Sequence, residues 1–329
     1  MTAPKRRVAP PKALVEALLG CRKVAMLTHI NPDGDGLGSQ AALALALRSL
    51  GKTVVVANND ATPGQYSFLG LDAFAGDPSG SDLALSLDCP VLDRLGPRGK
   101  AAFLAAPGGA VIDHHVPKDP FGKSVWIEEG AAATGEMIEA LLPELGVALT
   151  PAMATALYAA MVNDTGCFRH SNTDAFTFAV AVRLLEAGAD SRDVNRRLMD
   201  EKPLRQVRLQ AHILDSLRSL AGGRAALVTV SAADLAAYSA TWEDTDGLAE
   251  TLRSIEGVEV GAMLREEGPL AAKLSLRSKF GFDVNAFAHQ WGGGGHAKAA
   301  GATLKLPFAE AVQRVSEALD SEISAARRV

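Results

Sequence analysis

Short apolar runs that stop at polar turns alternate, along the first half of the chain, with longer stretches of helical composition. Val24-Ala25-Met26-Leu27-Thr28 is the first such run, and Ser39 to Leu50 reads as a helix closed by Gly51, whose missing Cβ suits a left-handed cap. Thr53 to Ala57 reads as a second strand. The order then recurs, with strands over Asp82 to Leu87 and Ala110 to Ile112 and helices over Ala101 to Ala106 and Ala131 to Leu142. Such alternation predicts an α/β domain built on a mostly parallel, doubly wound sheet. Pro151 to Val162, the most apolar long stretch, falls short of the roughly 20 residues a membrane span needs and reads as a buried helix.

From about Ser191 to Leu220 the pattern turns charged and helical, with Arg192, Arg196, Arg197, Arg205 and Arg208 outnumbering the acids around them. This predicts a helical connector whose charges face solvent, in preference to a track for RNA. Beyond Gly222-Gly223, strands at Ala225 to Val230, Val258 to Leu264 and Ala271 to Leu276 alternate with helical stretches, giving a smaller α/β second domain. The expected organisation is a basic, Pro-rich disordered tail at residues 1–11, a first domain at 12–190, a linker at 191–221 and a second domain at 222–329.

Composition narrows the function classes. A chain of 329 residues fits two ordinary cores. Aromatic residues make up only 5%, so platforms for stacking a long single strand are scarce. A net charge of −5 argues against a protein that coats nucleic acid, and any nucleic acid bound is expected to be short. Cys21, Cys89 and Cys167 form no C-x-x-C pair, the pattern of a reducing compartment. With no signal peptide and no membrane span in the pattern, a cytoplasmic protein is expected.

In parallel α/β sheets ligands bind at the carboxyl ends of the strands, so polar residues just after a strand carry most weight. Four places qualify. His29-Ile30-Asn31-Pro32-Asp33-Gly34-Asp35-Gly36 packs one imidazole and two carboxylates into a turn, and the simplest way to hold two ionised aspartates so close is a cation. A helix-capping loop would use the same residues. Asp88 emerges from the buried run Leu83 to Leu87, where a carboxylate is costly to place. Asp113-His114-His115 follows Val111-Ile112, and its adjacent imidazoles can serve two tasks. Asn163-Asp164-Thr165-Gly166, with Phe168-Arg169 and Asn172-Thr173 behind it, puts a carboxylate at the negative end of an apolar helix, which a nearby cation would explain. Mixed His and Asp ligands without cysteine favour manganese, then magnesium or iron, and the ligand count implies two ions.

These motifs resemble those of the DHH phosphoesterase superfamily, named for the triplet that stands here as Asp113-His114-His115. Gly292-Gly293-Gly294-Gly295-His296-Ala297-Lys298-Ala299-Ala300-Gly301 resembles the motif of the DHH-associated C-terminal domain, and Ser275-Leu276-Arg277-Ser278 its companion strand. The two-domain form most resembles the nanoRNase/pAp phosphatase branch, which degrades very short oligoribonucleotides and dephosphorylates adenosine bisphosphate. Some relatives act on cyclic di-AMP or its linear product, and a longer relative is a single-strand DNA exonuclease. A catalytically dead nucleotide sensor would keep the same fold. The resemblance implies a catalytic first domain and a substrate-binding second one. It implies that His29 and Asp33 hold one ion, that Asp35, His114 and Asp164 hold the other, and that Asp88 bridges both. His115 would face the scissile phosphate and Asp113 would orient it. Arg169, Arg277, Ser278, Gly293, Gly294, Gly295 and His296 are the expected substrate contacts, the glycines through backbone N–H groups. The expected partners are short RNA or small nucleotides and no membrane, with a homodimer left open.

Overall fold

The computed structural model describes residues 9–115 and 119–326, so residues 1–8 of the expected disordered tail lie outside the described residues. The chain divides into two compact units, Met1–Glu201 and Lys202–Val329. In the first, α1 (Lys12–Gly20) leads into β1 (Lys23–Leu27), α2 (Gly34–Ser49) and β2 (Thr53–Val56). Two 3-10 turns, Gly64–Leu69 and Leu71–Phe74, precede β3 (Leu83–Leu87). There follow α3 (Gly96–Ala105), β4 (Gly108–Asp113), β5 (Ser124–Ile127), α4 (Thr134–Glu144), α5 (Pro151–Asp164) and α6 (Ala175–Glu186). The short α7 (Ser191–Asn195) runs into a π-helical segment, Arg196–Asp200.

All five strands are parallel, in the order β2-β1-β3-β4-β5. Alternation of side chains feeds two cores. Val24 and Met26 of β1 join Leu83, Leu85 and Leu87 of β3 against α2, α4 and α5. Leu27, Ala84 and Val111 meet Leu95 and Phe103 on the face covered by α3. With both faces covered, every residue of β3 is buried, which is why it reads as a continuous apolar run. Helices α2 and α5 pack closely enough that a Cβ on Gly38 would lie 2.4 Å from the carbonyl oxygen of Ala156.

The second unit contains α8 (Leu204–Asp215), β6 (Arg218–Leu220), β7 (Ala225–Val230), α9 (Ala232–Ala237), α10 (Leu248–Ser254), β8 (Val260–Gly268) and β9 (Ala271–Ser278). After these come α11 (Val284–His289), β10 (Gly294–His296), β11 (Ala299–Leu304) and α12 (Phe308–Ala325). Its sheet runs β10-β11-β9-β8-β7-β6, with β7 and β8 parallel and the remaining pairs antiparallel. One face packs on α11 and α12, the other on α8, α9 and α10.

The α/β class and the parallel first sheet are as expected, and several boundaries differ. Helix α2 starts at Gly34, five residues before the expected Ser39, because Asp33 caps it there. Helix α3 begins at Gly96, with a proline in its first turn. Helix α4 begins at Thr134, and residues 128–133 instead form a loop that faces the site. Arg218–Leu220, expected to be helical, is an edge strand paired antiparallel to β7. Among the described residues no helix is long and apolar enough to cross a membrane.

Candidate metal centre

The strand order reverses between β1 and β3, the place where parallel α/β sheets open a crevice. The segment leaving β1 is pinned there. Thr28 N–H donates to Asn58 Oδ1 at 3.0 Å, and Asn58 and Gln40 exchange amide hydrogen bonds of 2.8 and 2.9 Å. Asn31 adopts a left-handed φ of 52°, and its N–H donates to Asp60 Oδ2 at 2.7 Å. Asp33 Oδ1 then caps α2 by accepting the N–H groups of Asp35 and Gly36. The capping loop and the ligand turn are therefore one structure. Asp33 stands outside the helix, while Asp35 sits buried in its first turn.

Three further segments converge on the same point. Asp88 ends β3 in a left-handed conformation, φ 53°, and is buried. Asp113, His114 and His115 leave β4, and Asp164 closes α5. His29 Nε2 lies 3.8 Å from Asp33 Oδ1 and 3.7 Å from Asp88 Oδ2. His114 Nε2 lies 3.6 Å from Asp35 Oδ2, 3.7 Å from Asp88 Oδ1 and 3.1 Å from Asp164 Oδ2. Two triads result, His29–Asp33–Asp88 and Asp35–His114–Asp164, each with ligand atoms within 4.8 Å of one another. Asp88 turns one oxygen toward each histidine.

The donor set fits divalent cations, and the histidines show why. His29 Nδ1 lies 2.8 Å from the carbonyl oxygen of Ile30 and His114 Nδ1 lies 3.1 Å from that of Ala131, so each ring carries its proton on Nδ1 when neutral. The Nε2 lone pairs then face carboxylates. His114 Nε2 is buried and aligned with no hydrogen-bond partner among the described residues. A lone pair held against carboxylates calls for a cation or a proton. Without a metal the proton wins: burial opposes the charge, yet Asp33 and Asp88 push His29 up to about 10, and Asp164 with Asp35 and Asp88 push His114 up to about 10. Burial, with the charges of Asp88 and Asp164, raises Asp35 well above the carboxylate range, and burial also raises Asp164. Asp88 moves the other way: contacts with His115 and His29 outweigh its burial and lower it.

Asp35 is gripped from behind. The N–H groups of Thr134 and Gly135, at the start of α4, donate to its two oxygens at 2.6 and 2.9 Å, where the helix dipole favours an anion. His115 is braced differently, since Asp113 Oδ1 accepts from its backbone N–H at 2.7 Å and lies 2.8 Å from its Nδ1. Burial opposes charge on this ring as well, but Asp113 and Asp88 push it up to about 11.

The expected substrate contacts fall in two places. Arg169 is exposed in the first unit and donates from Nε to the carbonyl of Gly166. In the second unit Arg277 pairs with Glu250, and Ser278 is buried with its hydroxyl donating to the carbonyl of Ala297. Gly294 to His296 is strand β10 rather than an open loop. A Cβ on Gly293 or Gly295 would lie 2.1 or 2.5 Å from a carbonyl oxygen of β11, so close strand packing accounts for these glycines. Trp291 packs against the second core, and Cys167 is half-buried. Asp60, Asn58 and Gln40 escaped the sequence reading. Applying the strand-end rule to Asn58-Asn59-Asp60, directly after β2, would have found the first two.

Comparison with known proteins agrees with this architecture. Residues 23–161 match the DHH family N-terminal domain, and residues 225–325 match the DHHA1 domain. The chain is 34% identical to the bifunctional oligoribonuclease and PAP phosphatase NrnA of Thermus thermophilus, over 92% of this chain and 91% of that one. It is 29% identical to the protein of the same name from Bacillus subtilis, over 84% of this chain and 87% of that one. The crystal structure of an exopolyphosphatase-related protein from Bacteroides fragilis shares the fold, with a TM-score of 0.88 at 23% identity, over 95% of this chain and 96% of that one. With both domains matched in order and the similarity to the Thermus protein sustained along nearly the whole of each chain, this chain belongs to the DHH family, in the two-domain form that carries DHHA1.

Proposed function

We propose that the chain is a divalent-cation-dependent phosphoesterase that hydrolyses short oligoribonucleotides and removes a phosphate from 3'-phosphoadenosine 5'-phosphate. The carrying observation is the pair of ligand triads joined at Asp88, in a chain whose similar relatives are named for those two activities. His29 and Asp33 would hold one ion, Asp35, His114 and Asp164 the other, with Asp88 between them. Manganese is the ion we favour for this mixed His and Asp set, followed by magnesium or iron. When bound, such a pair lowers the pKa of an attacking water and stabilises the attacking and leaving oxygens of an in-line displacement at phosphorus.

The chain's own residues supply the rest. Asp113 fixes the His115 ring through two contacts on one oxygen, so that a charged imidazole can meet developing negative charge on a phosphate oxygen. The Nδ1 contacts of His29 and His114 to backbone carbonyls aim their other nitrogens at the centre. We assign substrate contacts to Arg169, Arg277, Ser278, His296 and the backbone amides at Gly293 to Gly295. Of the glycines, Gly294 has the most room beside it, a Cβ there meeting nothing closer than 3.4 Å.

The test is a substrate panel with metal-replete protein: di- to pentaribonucleotides, 3'-phosphoadenosine 5'-phosphate, a cyclic dinucleotide and a long single-stranded DNA. Hydrolysis of the first two classes with little turnover of the last is expected. Failure on both of the first two would sink the proposal.

A further inference from the structure

Helix α5 ends on Asp164, and the chain then does something uncommon: Gly166, Cys167 and Phe168 are left-handed in succession, with φ of 54°, 60° and 61°. Single left-handed residues are ordinary, but consecutive ones with side chains are disfavoured by contact between Cβ and the following carbonyl. Such a turn persists only where its surroundings hold it. Here Cys167 N–H donates to the carbonyl of Val162, Phe168 N–H to Thr165 Oγ1, and the N–H groups of Arg169 and His170 both donate to the carbonyl of Thr165. Gly166 suits its left-handed φ, and a Cβ there would have to displace the tip of the His170 ring, 2.4 Å away.

The effect of the turn is to return the chain beside Asp164. Asn172 Nδ2 donates to the carbonyl of Asp164 at 3.2 Å and to the carbonyl of Ala132 at 2.9 Å, while His170 Nδ1 lies 3.3 Å from that same Asp164 oxygen. Ala131, the neighbour of Ala132, provides the carbonyl that orients His114. One exposed amide therefore links the backbone of Asp164 to the loop that sets the His114 ring. It also satisfies a carbonyl at the negative end of α5, where the Asp164 carboxylate is otherwise disfavoured.

We propose that Asn172 is a positioning residue for the Asp35–His114–Asp164 cation site, fixing the spacing between Asp164 and His114 through this doubly donating amide. The inference rests on the metal-centre reading above. Its test uses the full-length protein, stripped with a chelator and titrated with manganese chloride by calorimetry, as wild type, Asn172→Ala, Asn172→Asp and Cys167→Gly. Asn172→Ala is expected to weaken one of the two ions about ten- to a hundredfold and leave the other unchanged. Asn172→Asp, with acceptors facing two carbonyls, should do so more strongly. The thermal midpoint of both variants without metal should match the wild type. Cys167→Gly relaxes the turn while keeping the amide and should retain both affinities. Wild-type affinity for both ions in Asn172→Ala overturns the inference. So does equal weakening at both ions with a lowered metal-free midpoint, the behaviour of a residue that only supports the fold. Wild-type protein that binds no manganese would instead sink the metal centre itself.

Discussion

Asp88 belongs to the His29–Asp33 triad and turns its other oxygen toward His114 of the second, from a left-handed backbone conformation. Asp88→Asn should lower kcat on the order of a thousandfold, since it removes the carboxylate proposed to lie between the two ions, and steady-state kinetics with saturating metal would show it. Asp88→Gly should be equally inactive and unfold at a lower midpoint in the metal-free state, because the strain relieved is outweighed by loss of the carboxylate that pairs with His29, His114 and His115; an unchanged or higher midpoint would contradict this. The histidines carry a signed pH dependence. Their pKa values near 10 leave His29 and His114 protonated at neutral pH without metal, so binding must expel those protons. Manganese affinity should then rise from pH 6 to pH 9, and calorimetry in buffers of differing ionisation enthalpy should detect proton release; buffer-independent enthalpies would refute it. That the candidate ligand residues would cluster was legible because charged and imidazole side chains directly after apolar strands have few structural reasons to be there. Gln40 was not, because it acts through an amide contact from inside α2 to Asn58 that leaves no spacing in the chain.

At the scale of elements, the apolar runs that became β1, β3 and β4 were legible because both sheet faces are covered and nearly every residue is buried. β5 was not: its four residues, Ser124–Ile127, lie at the sheet edge and only Trp126 is buried. The start of α4 was misplaced by the alanines at 131–133, which fit a helix by propensity but are held as a loop whose carbonyls face His114 and Asn172. That start matters because its amides grip Asp35, and its closeness to α5 depends on Gly135. A Cβ there would lie 2.6 Å from Cβ of Ala160 and must push the helices apart. Gly135→Ala should destabilise the protein by about 1–3 kcal/mol in urea unfolding and weaken manganese binding by lifting two donors from Asp35. Destabilisation with unaltered metal affinity would show that the grip is dispensable.

At the scale of the whole molecule, each unit has its own sheet and its own cores. The described metal-ligand candidates all lie in the first unit. Residues 1–201 expressed alone should therefore cleave a small activated phosphodiester in the presence of manganese, while kcat/KM for a dinucleotide falls at least about tenfold through loss of binding contacts. Unchanged dinucleotide kinetics would exclude a substrate role for the second unit. The two-part organisation was visible in the sequence from the change of pattern near Ser191. The division itself falls between Glu201 and Lys202, inside that charged stretch, where no single residue marks it.

The candidate ligands that meet at the β1/β3 crevice are drawn from positions 29, 33, 35, 88, 114 and 164, a span that takes in β1 through β5 and ends only with α5. No partial chain emerging from the ribosome owns a finished centre, and a defect anywhere along that span leaves it incomplete. Metal binding at these positions would therefore report that the segments from β1 to α5 have come together.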